Sequence, residues 1–339
     1  LKTLIIESCE KREIKSNFTM VHVKNAVILR DELGCDMISH ADHIPSVIDK
    51  SYDNIICVYA SPYMKYNAYM AILDNNPNAK VFWLMNDHDV EGNILLRKWI
   101  EKYQKQHHMI CNNPREGYRG WILRRNIAEK TMNDWIDEWH TVNLNTLIFD
   151  EQTFKDTQDH WNRDEILYYG TFRKHRIKDM KDYNGAGYRL SSNRRNHLKY
   201  QDAGIEAKFI EKLIWDESKV DLFEPVGMRL KDFKLSIYFE DEHTHENYAF
   251  MANRFYECVM NNTLQVYDFR CQKTIDRSGY NIHPMQIVKN AEELQVLYKT
   301  LQENNILYLE LLSIQQSNVP IILKEKKEVI ETIRGALVG

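Results

Sequence analysis

The sequence lacks most of the landmarks that assign a chain quickly. It has no G-x-G-x-x-G and no G-x-x-x-x-G-K-[ST], so the usual phosphate turn of a dinucleotide fold and the P-loop are both missing. Its six cysteines (Cys9, Cys35, Cys57, Cys111, Cys258 and Cys271) are scattered without a CxxC pair, which suits reduced thiols and not a disulfide framework or a zinc ribbon. His243-Thr244-His245-Glu246 is not HExxH and has no third ligand nearby, so no metal site is expected. No run approaches the roughly 18 uninterrupted apolar residues of a membrane span. The start, Leu1-Lys2-Thr3-Leu4-Ile5-Ile6, reads as a first buried strand and is too short for a secretory signal. Repeats and low-complexity tracts are absent. The formal net charge of −4 excludes a basic coat, so any nucleic-acid contact must use a local patch.

What is present is the pattern of two α/β domains. The chain has 339 residues, 43% hydrophobic and 28% charged, enough for about two globular cores. After the strand at 3–6, Val23, Ala26, Val27, Leu29 and Leu33 recur at helical spacing and stop at Gly34. Residues 54–59 form a near-continuous apolar run, as in a strand buried on both faces. A helix over 66–73 stops at Asn75-Asn76-Pro77, followed by a strand at 79–85 and a helix at 91–106. This alternation predicts a parallel sheet covered on both sides. A second unit begins near Glu165 with a strand at 166–170, and residues 171–176 are expected to open a helix. A strand at 234–239, a helix at 247–260, a strand at 264–267 and a long helical stretch at 291–316 follow. Pro320 is expected to break the chain before a closing helix at 321–337, and the polar stretch 150–164 is the expected domain seam.

Several residues could carry chemistry. Gly170, Thr171, Arg173 and Arg176 stand where the second unit's first strand ends. A helix start with a hydroxyl and two arginines suits a diphosphate, because free N–H groups and guanidiniums both favour anions. A basic helix start facing solvent has the same composition. Asp87 directly follows an apolar strand, where it would face the crevice as a general base or cap the next helix. Arg254 and Glu257, spaced i, i+3, share a helix face as a surface ion pair or as a cation for phosphate and a carboxylate for a ribose diol. His107-His108 and the pair Trp135 and Trp139 read as surface and core features. Between Arg163 and Lys199 there are ten Lys or Arg against four Asp or Glu, and Arg115, Arg119, Arg124 and Arg125 interleave with Tyr118 and Trp121. Basic side chains among aromatics suit phosphate backbones and an unstacked base; a solvated face is the plain alternative.

Taken in order, segments 80–87, 169–176 and 250–257, the tail Leu312-Ser313-Ile314-Gln315-Gln316, and the spacing from Leu1 to Gly34 resemble the DNA β-glucosyltransferases of T-even bacteriophages. The resemblance implies an α/β fold of the GT-B type: two Rossmann-like doubly wound domains facing across a cleft, with a C-terminal helix returning to the N-terminal domain. It implies an acceptor (DNA) domain over 1–160, a UDP-sugar domain over 161–318 and the returning helix over 319–339. Asp87 matches the family's general base, and Thr171, after Gly170, stands where the family has a serine beside the diphosphate. Arg173 and Arg176 match two phosphate arginines at a spacing one residue shorter, Arg254 matches a third, and Glu257 matches the carboxylate that holds the ribose. Val226 lies near the segment that receives uracil. His22 takes the place of a glutamate near the sugar, and His243 and Glu246 stand roughly where the family has an aspartate and a tyrosine close to the donor. The nucleotide-holding part is thus kept and the sugar-facing part changed. Hydroxyl recognition depends on such polar partners, so the implied donor is UDP-glucose or a UDP-pentose such as UDP-arabinose.

The implied reaction is an inverting displacement. A base bearing a hydroxymethyl group leaves the duplex, Asp87 takes the hydroxyl proton, and the arginines stabilise the departing UDP. Implied partners are double-stranded DNA containing hydroxymethylcytosine and the UDP-sugar, with no membrane. Mg2+ or Mn2+ would help UDP leave, although no ligand cluster demands one. A monomer in the cytoplasm of an infected bacterial host is expected. Two other readings stand beside this one: a GT-B transferase with a non-DNA acceptor, and a non-catalytic DNA-binding or interaction protein that kept the fold. The basic clusters speak against the first, and the joint presence of Asp87, Arg254 and Glu257 against the second.

Overall fold

A computed structural model of the chain describes residues 1–7, 21–38, 45–58, 66–85, 107–112, 136–158, 163–192, 194–210, 230–240 and 250–339. They divide into two compact units, Leu1–Leu147 with Glu325–Gly339, and Ile148–Lys324. The chain passes to the second unit after Leu147, just ahead of the expected 150–164 seam, and returns to the first unit at Glu325, within the closing helix.

In the first unit, β1 (Thr3–Glu7), β2 (Asp36–Ile38), β3 (Asn54–Val58), β4 (Lys80–Met85), β5 (His107–Cys111) and β6 (Ile136–Thr141) form one parallel sheet in the order β2-β1-β3-β4-β5-β6. Helix α1 (Val21–Leu33) crosses from β1 to β2 and ends at Gly34, whose φ of +62° suits a residue without a side chain. Helix α2 (Tyr66–Asn75) crosses from β3 to β4. All five β3 residues are buried, as parallel strands covered on both faces are.

The second unit starts with α3 (Glu151–Asp156), capped by the Asp150 carboxylate, which accepts from the Thr153 N–H. Its sheet is also parallel. It contains β7 (Asp164–Tyr169), β8 (Arg189–Ser191), β9 (Lys208–Ile210), β10 (Phe233–Tyr238), β11 (Leu264–Asp268) and β12 (Ile287–Val288), in the order β12-β11-β10-β7-β8-β9. Helices α4 (Ile177–Lys181), α5 (Arg194–Asp202), α6 (Asn253–Met260), α7 (Gln272–Ser278), α8 (Ala291–Glu303) and α9 (Asn305–Gln316) connect and cover these strands. Strand β11 is buried throughout, and the unit's core is tyrosine-rich, with Tyr168, Tyr183, Tyr188 and Tyr200 all buried. The structure is α/β throughout, as the strand–helix alternation predicts.

Three helical expectations change. The stretch 291–316 is two helices, because Asn304 leaves the helix (φ −120°, ψ 88°) and caps α9 by accepting from the Leu307 N–H. Pro320 does not break the chain. The break is the turn at Ser317-Asn318, and Pro320 sits in the first turn of α10 (Val319–Val338), where a missing N–H costs nothing. The helix expected from 247 begins at Asn253, behind an extended Ala252. Together α9 and α10 hold an apolar window long enough to cross a membrane, but the turn divides it. Leu311, Leu312, Ile322 and Ile333 are buried, which is the pattern of core helices. From Glu325 onward α10 belongs to the first unit, where Asn54 Nδ2 donates to Leu337 O at 3.1 Å and Asn143 Nδ2 to Glu325 Oε2 at 2.8 Å.

Candidate functional site

In the second unit β7 and β10 are neighbours, and the chain leaves them in opposite directions, toward β8 and β9 on one side and β11 and β12 on the other. Such a switch point opens a crevice outside the carboxyl ends of its strands, where ligands of α/β sheets bind. The segment leaving β7 is Gly170-Thr171-Phe172-Arg173, and the segment leaving β10 is Phe239-Glu240. Gly170 has φ +154°, a backbone state that side chains rarely adopt, and an added Cβ would meet Tyr168 Oη at 3.4 Å and Arg254 Nη1 at 3.6 Å. Its N–H still donates to Ser191 O at 3.1 Å, extending the β7–β8 ladder by one residue. Below the loop, Tyr168 meets Phe239 edge-on at 5.2 Å and Phe172 meets Tyr200 at 5.1 Å, while Tyr200 Oη donates to Thr171 O at 3.1 Å. The apolar pattern of these segments thus fixes where the polar ends emerge.

Two arginines converge there on one carboxylate. Glu240 accepts from Arg176 Nη2 at 2.5 Å and from Arg254 Nη2 at 2.8 Å, and the three side chains are only 3%, 12% and 10% exposed. Burial works against the Arg254 charge more strongly than any single neighbour favours it, yet the neighbours together, Glu240 foremost, hold the guanidinium above its ordinary pKa. The guanidinium carbon also lies 5.2 Å from the Tyr168 ring, 5.9 Å from Tyr169 and 5.9 Å from Tyr238, a distance at which ring faces attract cations. Two guanidiniums and one carboxylate leave the trio with one net positive charge, in a place where low dielectric strengthens its pull on an anion. Helix α6 starts beside it with no side-chain cap, so its first N–H groups add to the same field.

Arg254 and Glu257 do not pair with each other. Glu257 Oε2 accepts from Tyr169 Oη at 2.6 Å, and burial, reinforced by this carboxylate, pushes the Tyr169 phenol well above its ordinary pKa. The phenol therefore stays protonated and remains a donor. Glu257 is 7% exposed on α6, one turn from Arg254.

The sequence-named residues fall into three groups. Gly170, Thr171, Arg176, Arg254 and Glu257 lie at the ends of β7 and the start of α6, with Arg176 and Arg254 joined through Glu240. Arg173 and Thr171 are exposed on the same loop, and Arg173 has no ion-pair partner among the described residues. Asp87, Val226, His243 and Glu246 lie outside the described residues, as does the side chain of His22 on α1. Residues 171–176 lead into a helix as expected, but a short one. A three-residue 3-10 turn (Lys174–Arg176) leads into the five-residue α4, too short for a substantial dipole, so the uncapped helix start at this site is that of α6. Glu240 and Tyr169 were missed by sequence reasoning. Glu240 carried a usable signal, since it ends an apolar strand just as Asp87 does.

No protein-family model and no curated protein matches the chain. Solved structures do. T4 phage BGT in complex with UDP-glucose matches at 16% identity and TM-score 0.67, covering 99% of each chain. The DNA modifying enzyme beta-glucosyltransferase, solved with and without uridine diphosphoglucose, matches at 15% identity and TM-score 0.65, covering 99% of this chain and 100% of that one. Anabaena Alr3699/HepE in complex with UDP-glucose matches at 9% identity and TM-score 0.53, covering 98% and 99%. At these identities the likeness shows the fold, the two-domain α/β architecture called GT-B, over the whole chain.

Proposed function

We propose that the chain is a phage-type DNA-modifying glycosyltransferase that moves a sugar from a UDP-sugar to the hydroxymethyl group of hydroxymethylcytosine. The observation that carries this reading is the pair Arg176 and Arg254, held on buried Glu240 at the β7–β10 switch point. It is supported by a fold shared with T4 phage BGT, solved with UDP-glucose, and with Anabaena HepE, also solved with UDP-glucose. The DNA acceptor is supported by the description of the phage protein as a DNA modifying enzyme and by the basic, aromatic-bearing segments of the sequence.

In this reading Arg173, Arg176 and Arg254 take the charge that grows on the leaving diphosphate, with Thr171 and the Gly170 loop beside it. Glu257, oriented by Tyr169, accepts from the ribose hydroxyls. Asp87 removes the proton of the attacking hydroxyl, Val226 lies by the uracil, and His22, His243 and Glu246 face the sugar, which is glucose or a pentose such as arabinose. The target base leaves the duplex to react. A monomer acting in the cytoplasm of an infected bacterium completes the proposal.

A phage BGT structure holds UDP with Mn2+. In the second unit the described carboxylates near the strand ends do not form a divalent-cation site. Glu240 is bound by two arginines, Glu257 by Tyr169, and Asp268 by Arg270 and Tyr183.

The test is incubation of the protein with hydroxymethylcytosine DNA and a panel of UDP-sugars, followed by nucleoside mass spectrometry. A sugar-bearing hydroxymethylcytosine is expected. UDP-glucose is common to the phage and HepE structures while the DNA description belongs to the phage protein, which leaves one second reading: the same donor with a non-DNA acceptor. Donor hydrolysis without any modified nucleoside would support that reading and overturn the DNA acceptor.

A further inference from the structure

Among the described residues of the first unit, three side chains able to ligate a metal come together: His108 on β5, and Glu138 and His140 on β6. Their meeting depends on a β-bulge. His107 pairs with Ile136, but His108 pairs with Glu138, so Asp137 is an extra residue on β6. Without it, His108 would face position 137 and Glu138 would point to the opposite side of the sheet. With it, residues 108, 138 and 140 share one face.

The geometry suits a metal ion. His108 Nδ1 and His140 Nε2 lie 3.2 and 3.3 Å from the same oxygen, Glu138 Oε2, and all three ligand atoms lie within 4.8 Å of one another. Bonds of about 2.0–2.1 Å at tetrahedral angles separate two ligand atoms by about 3.3–3.4 Å, close to the 3.2 and 3.3 Å of these two edges. The His108 ring is fixed in advance, buried and stacked on Phe82 at 4.7 Å and 20°. Exposure rises across the group, with side chains 6% (His108), 26% (His140) and 57% (Glu138) exposed. One wall is therefore preformed and the other is open to ion and water.

We infer that His108, Glu138 and His140 bind one divalent transition-metal ion of the zinc class, with water in the fourth position. Two imidazoles and a carboxylate are a donor set that zinc accepts, and imidazole disfavours Mg2+ and Ca2+. The ion joins β6, the edge strand of the sheet, to β5. Its three residues belong to the first unit and are none of those assigned to the donor. Its ligands stand 30 residues apart on two strands, so no local sequence motif announces them.

The experiment uses the full chain, stripped by a chelator and titrated with Zn2+ and with Co2+ in the absence of UDP. Calorimetry is expected to give one Zn2+ per chain, with a rise in melting temperature. Cobalt is expected to show the visible bands of a tetrahedral ion without a thiolate charge-transfer band. Glu138→Gln and His140→Ala, both at exposed or half-exposed positions, are expected to weaken Zn2+ binding at least ~10-fold and to remove the melting shift, while the metal-free proteins melt alike. No uptake by the wild type would leave the trio as two imidazoles hydrogen-bonded to a carboxylate and overturn the inference. So would uptake unchanged in both variants, or a thiolate band, which would move the ion to cysteine.

Discussion

Arg254 holds Glu240 at 2.8 Å in a site where their side chains are 10% and 3% exposed, and the same carboxylate holds Arg176. A buried acid that serves two guanidiniums fixes their direction and keeps them charged, yet cannot neutralise both. The cluster is thus stable alone and still attractive to an anion. Removing one member of a buried ion pair typically costs about 3–5 kcal/mol, because the remaining charge is left uncompensated. Glu240→Ala should lower stability by about that amount, and saturating UDP should restore more of it than it adds to the wild type, since an anion takes over the missing charge. Melting curves with and without UDP check this; equal UDP-dependent rises would place the diphosphate elsewhere.

Tyr169 should act on the ribose through Glu257. Losing the 2.6 Å hydrogen bond in Tyr169→Phe removes one of the contacts that orient this carboxylate. UDP affinity should fall by about tenfold, the effect of one charged hydrogen bond. For 2′,3′-dideoxy-UDP, which offers no diol, the variant and the wild type should bind alike. A matching loss for both nucleotides would assign Tyr169 a purely structural part.

Asp87→Ala should abolish sugar transfer while UDP binds as before, because a general base acts on the acceptor and not on the nucleotide. Transfer assays on hydroxymethylcytosine DNA, paired with calorimetry of UDP, separate the two steps. Full transfer by the variant would remove Asp87 from the reaction.

The first unit should respond to acid through Asp36. The Lys50 ammonium, with the Tyr52 hydroxyl, holds the Asp36 carboxylate below its ordinary range, at contacts of 2.9 and 2.8 Å. A carboxyl lowered in the folded state contributes stability above its unfolded pKa of about 3.9, and that contribution is lost as pH falls through the lower folded value. Asp36→Asn should therefore lower the urea midpoint at neutral pH and differ little from the wild type well below the folded value. A deficit equal at both ends would trace to packing and not to charge.

Much of the fold was legible because burial leaves a periodic trace. Strands β3 and β11 are apolar runs buried along their whole length, and Gly34 ends α1 where a left-handed residue is required. Strands β5 and β6 were not legible. His107, His108, Glu138 and His140 interrupt their apolar pattern, and the bulge between them breaks the two-residue period. Strands β8, β9 and β12, of two or three residues, carry no period at all. The apolar stripe runs straight through Asn304, so only its cap to Leu307 reveals that α8 and α9 are separate. At the site, the arginines were legible as residue types, but their partner was not. Glu240 meets Arg176 across 64 positions of sequence, a pairing that only the sheet brings about.

Calorimetric titration of the wild type and Arg254→Ala with UDP tests the central claim most directly. The arginine should contribute charged hydrogen bonds to the diphosphate, so the variant is expected to bind UDP about 10- to 100-fold more weakly. Equal affinities, with both proteins folded, would contradict the assignment of the β7–β10 crevice to the donor.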